Sequence, residues 1–337
     1  LIARAMGIAV VLILVIVADS LSSQEIATSA TQAYQLRPIG ARAAAFSGMQ
    51  VACADDPTAL FSNPACIGYL IDKQLITGGV TMLSMGRSLS NVAATFDIGD
   101  AISLGTGIVG YDAGTLVRRD ANGTALGTNT VWQGFATIGA SARLNTQTSI
   151  GVAGRIAYSS APDPASTGSG AAVDVGFITS LLDVATFGAS IQNLGTMKFG
   201  TEQIALPWIV RVGVCSYVPF AEEVVETTSP TLGTTDTVTI PSRERVLFGI
   251  EAQQRAGATT PTIIAGFEVV PHPLFAIRGG MAIYGEELGK PRLFPATLLS
   301  GGISVWLTPL YPLRLDYALA RGFTAQFVHT LSLVADL

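Results

Sequence analysis

From about residue 73 onward the sequence falls into segments roughly ten residues long, each bounded by turn residues, and no other feature narrows the possible folds as far. Ten residues is about what a tilted strand needs to cross a lipid bilayer. The segments lie at 74–84, 89–99, 101–111, 131–142, 148–159, 169–181, 184–193, 207–218, 244–254, 261–270, 273–284, 296–306, 312–321 and 325–336, fourteen in all. An even number brings both ends of a bacterial barrel back to the same side of the membrane. The expected fold is therefore all-β, a fourteen-stranded antiparallel transmembrane barrel.

Alternation within the segments fits a barrel wall, where side chains point outward and inward by turns. Leu313, Leu315, Tyr317 and Leu319 share one face, and Arg314, Asp316, Ala318 and Ala320 the other. Val246, Phe248, Ile250 and Ala252 oppose Leu247, Gly249, Glu251 and Gln253 in the same way. Trp208, Val210, Val212 and Val214 oppose Arg211, and the face opposite Ile263, Ala265, Phe267 and Val269 carries Glu268. The inward face then holds a sparse set of charges: Arg155, Arg211, Glu251, Glu268, Arg278, Arg314 and Asp316. An unpaired charge buried there costs several kcal/mol, so these groups are expected to pair with one another, with water or with an inserted segment. A polar wall that contacts cargo is the functional alternative.

Alternation does not separate lipid from a second sheet as the outer neighbour, but low charge and an export signal favour lipid. Charged residues make up 13% of the chain and hydrophobic residues 49%, against about 25% charged in soluble domains. The longest apolar run, Gly7 to Ala18, is shorter than the roughly 20 residues of a membrane-spanning helix. It follows Arg4 and precedes Ser20, Ser22 and Ser23, the layout of a cleavable export signal. The expected organisation is a signal peptide at 1–23, a hatch at 24–72 and the barrel at 73–337, in a bacterial outer membrane. A soluble periplasmic β-protein is the competing reading. A net charge of −5 with no basic run argues against a nucleic-acid partner.

The stretch from Gly40 to Gly68, GARAAAFSGMQVACADDPTALFSNPACIG, has a texture of its own. Small residues from Ala41 to Ala45 permit close approach to a wall, and Arg42, the one charge among them, is expected to meet a carboxylate. Asp55 or Asp56 caps a short helix, with Pro57 in its first turn and Ala59, Leu60 and Phe61 as its packing face. Asn63-Pro64 ends that helix, because the residue before a proline is driven out of the helical region. Cys53 and Cys66 either bridge within this stretch or, together with Cys215, serve as small buried hydrophobes.

With both ends of the barrel on the inner side, short inner turns are expected at 97–100, 145–147, 182–183, 271–272 and 308–311. Longer outer loops are expected at 112–130, 160–168, 194–206 and 285–295. Pro219 to Arg243 breaks the rule, being long yet on the inner side. It is read either as a missed pair of short strands or as a periplasmic excursion open to a partner.

No constellation for catalysis emerges. Asp55 and Asp56 are adjacent, are expected to diverge, and lack a nucleophile beside them. Gly105 to Gly110 spells G-x-G-x-x-G without the helix that a dinucleotide site requires. His272 and His329 are the only histidines and lie on unrelated segments. The chain is expected to be no enzyme and to hold neither metal nor cofactor.

Gly40 to Ala65 resembles the N-terminal signature of the PorV/PorQ group of outer-membrane proteins, with Cys66 where a glycine commonly follows. FGASIQNLGT at Phe187 to Thr196 resembles that group's strand ending in Asn-Leu-Gly, and HTLSLVADL at His329 to Leu337 resembles its closing strand. The group is similar in fold to FadL-type transporters, so the resemblance implies a barrel occluded by an N-terminal hatch built on Gly40, Arg42, Asp55, Asp56, Asn63 and Pro64. It also implies a component of a type IX-like secretion apparatus, with secretion subunits or secreted proteins as partners. The alternative is a FadL-like passive transporter with a small hydrophobic ligand. Outer-membrane lipid is a partner in either case.

Overall fold

The computed structural model describes residues 34–53, 55–70, 74–161, 167–182, 184–220, 222–228, 235–241, 244–284, 296–307, 312–321 and 327–337. The expected signal peptide and the first residues of the expected hatch lie outside these. The strands, in chain order, are β1 (Leu75–Met82), β2 (Ser88–Ile98), β3 (Ile102–Arg119), β4 (Ala125–Asn145), β5 (Thr148–Ser160), β6 (Gly168–Leu182), β7 (Ala185–Phe199), β8 (Glu202–Ala205) and β9 (Ile209–Pro219). They continue with β10 (Glu222–Thr228), β11 (Thr235–Pro241), β12 (Arg245–Arg255), β13 (Thr262–His272), β14 (Phe275–Tyr284), β15 (Ala296–Trp306), β16 (Leu313–Arg321) and β17 (Phe327–Asp336).

Fourteen of these strands pair antiparallel around a closed wall, and β8 only extends one end of β7. Closure comes where β1 meets β17, from Leu75 opposite Asp336 to Met82 opposite His329. A closed ladder pairs the backbone groups with no edge left open to lipid. On β16 the exposed residues Leu315 and Tyr317 alternate with the buried Arg314, Asp316, Ala318 and Ala320. Around the wall Ile138, Ile156 and Ile250 are 68%, 69% and 56% exposed. A continuous outer surface of this kind belongs in lipid, and the protein is an outer-membrane barrel.

The sequence reading differs from the structure chiefly at the outer loops. Residues 112–130 are not a loop: β3 and β4 run on past the end of β2 as a two-stranded ribbon, pairing from Thr115 opposite Thr130 to Arg119 opposite Ala125. The Asp120 carboxylate makes the reversal by accepting from the backbone N–H groups of Asn122 and Thr124 at 2.9 and 2.8 Å. Residues 194–206 likewise hold the end of β7 and all of β8. The long inner connection contains a strand pair, β10 with β11, in a sheet separate from the wall, which leaves the barrel count at fourteen.

The Asn-Leu-Gly stretch marks a bulge. Gln192 and Asn193 together oppose Asp174, and Asn193 takes φ 60°, held by its backbone N–H donating to Asp174 Oδ1 at 2.7 Å. Gly105 and Gly107 lie within β3, so the G-x-G-x-x-G spelling is strand.

Residues 34–70, apart from Ala54, sit inside the barrel as a plug. A single helix, α1 (Ala41–Ala45), rests against β14 to β17. Two short 3-10 helices, Pro57–Phe61 and Pro64–Tyr69, rest against the opposite wall, chiefly β3 to β6. The Asp56 carboxylate caps the first through Thr58 N at 2.8 Å. Asn63-Pro64 ends that helix and also begins the second, with Asn63 as its cap and Pro64 in its first turn.

Candidate functional site

The candidate site is the lumen where plug meets wall. Gly40 opens α1 with φ 89°, and a side chain there would lie 3.0 Å from Thr58 Cγ2. Arg42, 2% exposed, donates to the Cys53 carbonyl and lies 3.3 Å from Asp55 Oδ2 and 3.6 Å from Glu268 Oε2. Its guanidinium also stacks over Phe46 at 4.9 Å.

Asp55 and Asp56 do not diverge. Both converge on Arg314, at 2.6 and 3.3 Å, because the planar guanidinium offers two parallel donors. Arg314 also holds Asp316 at 3.0 Å, Asp316 lies 3.4 Å from Arg278, and Arg278 holds Glu268 at 2.6 Å. Arg245 adds a contact to Glu268 at 3.4 Å. Four arginines thus meet four carboxylates in one connected network that ties α1 and the Asp55 turn to β12, β13, β14 and β16. Burial alone would raise the Asp55 carboxyl, but Arg314 and then Arg42 outweigh it and hold it well below the usual carboxylate range.

The other inward charges form two separate pairs. Arg155 meets Asp174 at 2.6 Å and stacks over Phe135 at 4.1 Å. Arg211 meets Glu251 at 3.0 Å, and the second oxygen of Glu251 accepts the backbone N–H groups of Gln50 and Val51 at 2.8 and 2.9 Å. Asp174 and Arg245 complete these sets and were not singled out in the sequence. Asp174 alternates with Val173 and Val175, a signal that period-two reading offers.

Side chains of both plug and wall also hydrogen-bond backbone groups along their boundary. Asn63 Nδ2 donates to Val51 O at 2.7 Å and to Phe177 O on β6 at 3.0 Å. Ser190 on β7 donates to Ser62 O and Ser300 on β15 to Ala45 O, each at 2.7 Å. Pro64 passes so close to β5 that a side chain at Gly151 would collide with its backbone.

The cysteines pair otherwise than by proximity in sequence. Cys53 is disulfide-bonded to Cys215 on β9, 162 residues away, and Cys66 is the free thiol. Cys66 sits buried in the second 3-10 helix, where its Sγ donates to Val51 O at 3.3 Å and burial pushes the thiol pKa up. No grouping of three or more His, Cys, Asp or Glu able to hold a metal occurs among the described residues.

A closed wall that is apolar outside, charge-paired inside and filled by its own N-terminal segment defines a plugged outer-membrane barrel. Solved structures place that architecture more closely. The chain resembles the Ralstonia pickettii toluene transporter TbuX with TM-score 0.56 and 15% identity, over 90% of this chain and 100% of that one. It resembles the monoaromatic hydrocarbon channel CymD at TM-score 0.61 and 12% identity, over 89% and 98%. A Pseudomonas aeruginosa FadL homologue gives TM-score 0.60 and 12% identity, over 88% and 98%. At these identities the likeness is one of fold, and the fold is FadL-like. No family model and no curated protein matches the chain. The finer resemblance to the PorV/PorQ group finds no support among the structural neighbours.

Proposed function

We propose that the chain is a passive outer-membrane transporter of small hydrophobic molecules, the second of the two readings drawn from the sequence, with residues 24–72 as its hatch. The observation that carries this reading is an apolar, aromatic contact between the plug and the lumen side of β2 to β5. Tyr34 stacks on Tyr111 at 5.4 Å and lies 6.1 Å from Phe135, and Phe61 meets Phe135 edge-on at 5.8 Å. Ile39 of the plug and Leu89, Ala93, Val109 and Ala157 of the wall complete the cluster. Water-filled porins have a polar interior. Apolar rings packed where the plug meets the wall suit an apolar solute instead. The FadL-like neighbours include a toluene transporter and a monoaromatic hydrocarbon channel, which fits the same reading. The secretion reading rests on the motif resemblance alone.

The test is uptake of labelled toluene by cells with an intact lipopolysaccharide outer membrane, with and without the full-length chain. A several-fold higher initial rate, with no change for a disaccharide, is the expected result. Equal rates at matched amounts of folded barrel would overturn the proposal.

A further inference from the structure

Beyond Asp112 and Trp132 the ribbon of β3 and β4 has no neighbouring strand among the described residues. β2 begins at Ser88 opposite Asp112, and β5 ends at Ser160 opposite Trp132. Both flanks of the ribbon therefore stand open past the outer end of the wall, where Val117 and Leu126 are exposed. A two-stranded ribbon alone is marginal in water, and open strand flanks invite pairing with other chains.

The tip of the ribbon is Asp120-Ala121-Asn122-Gly123-Thr124, and its backbone is pinned from several sides. Besides the two N–H groups held by the Asp120 carboxylate, Asp120 N donates to Thr124 O and Gly123 N to Asp120 O, each at 3.0 Å. Arg119 Nη1 donates to Gly123 O at 2.8 Å. Two side chains are left out of this scheme. Asn122 and Thr124 are exposed, and neither the Asn122 amide nor the Thr124 hydroxyl has a hydrogen-bond partner among the described residues. Gly123, between them, takes φ 86° and has nothing within 4 Å of the place a Cβ would fill, so the turn is open to an approaching molecule.

An asparagine with a hydroxyl residue two positions on, and no proline between, is the acceptor pattern of N-linked glycosylation. It occurs at one of six asparagines, since the others are followed at that distance by Ala65, Ala93, Val131, Gln147 and Gly195. Asn63, Asn91 and Asn193 are moreover buried. A three-residue spelling arises readily by chance. Its place at the tip of a projecting ribbon, with both of its functional side chains unengaged, does not follow from the spelling.

We propose that Asn122 is an N-glycosylation site, which takes an oligosaccharide from a polyprenyl-diphosphate donor while the exported chain crosses the periplasm. The Asn122 amide nitrogen bonds to the anomeric carbon of the first sugar as the bond from that carbon to the diphosphate oxygen breaks. The amide proton passes to a base of the transferase, and polyprenyl diphosphate leaves. Thr124 supplies the hydroxyl by which the transferase holds the asparagine, and Asp120 shapes the turn that presents both. The glycan then covers the tip and keeps other chains from the open flanks of the ribbon. None of this depends on the transporter reading.

The test is peptide mass spectrometry of the full-length protein from its native outer membrane, alongside Asn122→Gln, Thr124→Val and Thr124→Ser made in the same cells. Heat-modifiable migration on a gel checks that each barrel has folded. Most copies of the wild-type tip peptide are expected to carry a glycan on Asn122. The glycan is expected to vanish in Asn122→Gln and Thr124→Val and to persist in Thr124→Ser, which keeps the hydroxyl. Trypsin added to intact cells is expected to cut after the exposed Arg118 and Arg119 several-fold faster in Asn122→Gln than in wild type. An unmodified Asn122 in folded wild type, or one converted only to aspartate by loss of ammonia, would overturn the proposal. A glycan that survives Thr124→Val would do the same, and equal cleavage rates would overturn the covering role.

Discussion

Replacing Arg155 by Met removes a buried cation while keeping most of its volume. Asp174 Oδ2 then loses its partner at 2.6 Å, and among the described residues the Asn193 N–H on Oδ1 is what still compensates the charge. The two side chains are 2% and 0% exposed, so bulk water does not replace the guanidinium. Leaving one member of such a pair behind costs about 3–5 kcal/mol. Loss of the stacking of Arg155 over Phe135 at 4.1 Å adds about 1 kcal/mol. At roughly 1.4 kcal/mol per factor of ten, the folded-to-unfolded ratio drops at least several hundredfold. With an m-value of about 3 kcal/mol per molar, the urea midpoint falls by about 1–2 M. The assay is equilibrium urea unfolding in phospholipid vesicles, followed by tryptophan fluorescence, for Arg155→Met, Asp174→Asn and the double variant. The double variant is expected to recover about 2 kcal/mol or more relative to the sum of the singles, because it leaves no unpaired charge. Single costs below about 1 kcal/mol that simply add would show that the lumen pairs are hydrated, and would refute the reasoning.

Gly176→Val places a side chain against Asn63 Oδ1 and the Pro64 ring, so the second 3-10 helix is expected to lose its seat on β6 while the barrel still forms. Limited proteolysis, showing cleavage within residues 55–70 of the variant and none in wild type, checks it. For Asp55, the folded carboxyl titrates below its unfolded value of about 4, so its contribution to stability is complete above about pH 5 and is lost as the pH falls through the folded value. Unfolding measured from pH 8 down to pH 3 is expected to be flat in this respect until about pH 5, and Asp55→Asn is expected to remove part of the acid decline and to lower stability at pH 7.

Several features of the site were legible in the sequence and others were not. The inward charges on β9, β12, β13, β14 and β16 follow from alternation, since a strand sends neighbours to opposite faces whatever surrounds it. Their partners do not follow. Arg42 and Arg314 are 272 positions apart in number yet share Asp55 as a carboxylate partner, which only the closing of the barrel around the plug brings about. Two of the expected outer loops, 112–130 and 194–206, are largely strand for a related reason: turn-rich, threonine-bearing stretches read as loop until the facing strand supplies the backbone partners, while 285–295 and most of 160–168 lie outside the described residues.

The sequence by itself determined the strand count, the alternation that makes one face apolar, and the distinct stretch from Gly40 to Gly68, because each depends only on local periodicity and composition. Tertiary structure decided the rest. It paired Cys53 with Cys215 rather than with nearby Cys66, turned Asp55 and Asp56 onto one guanidinium, and made Asn63 a cap as well as a stop. The physical reason is common to all three. Inside a closed barrel most of the plug is cut off from bulk water, so its buried groups take partners that the wall or the folded plug presents, and distance along the chain has little say in that choice.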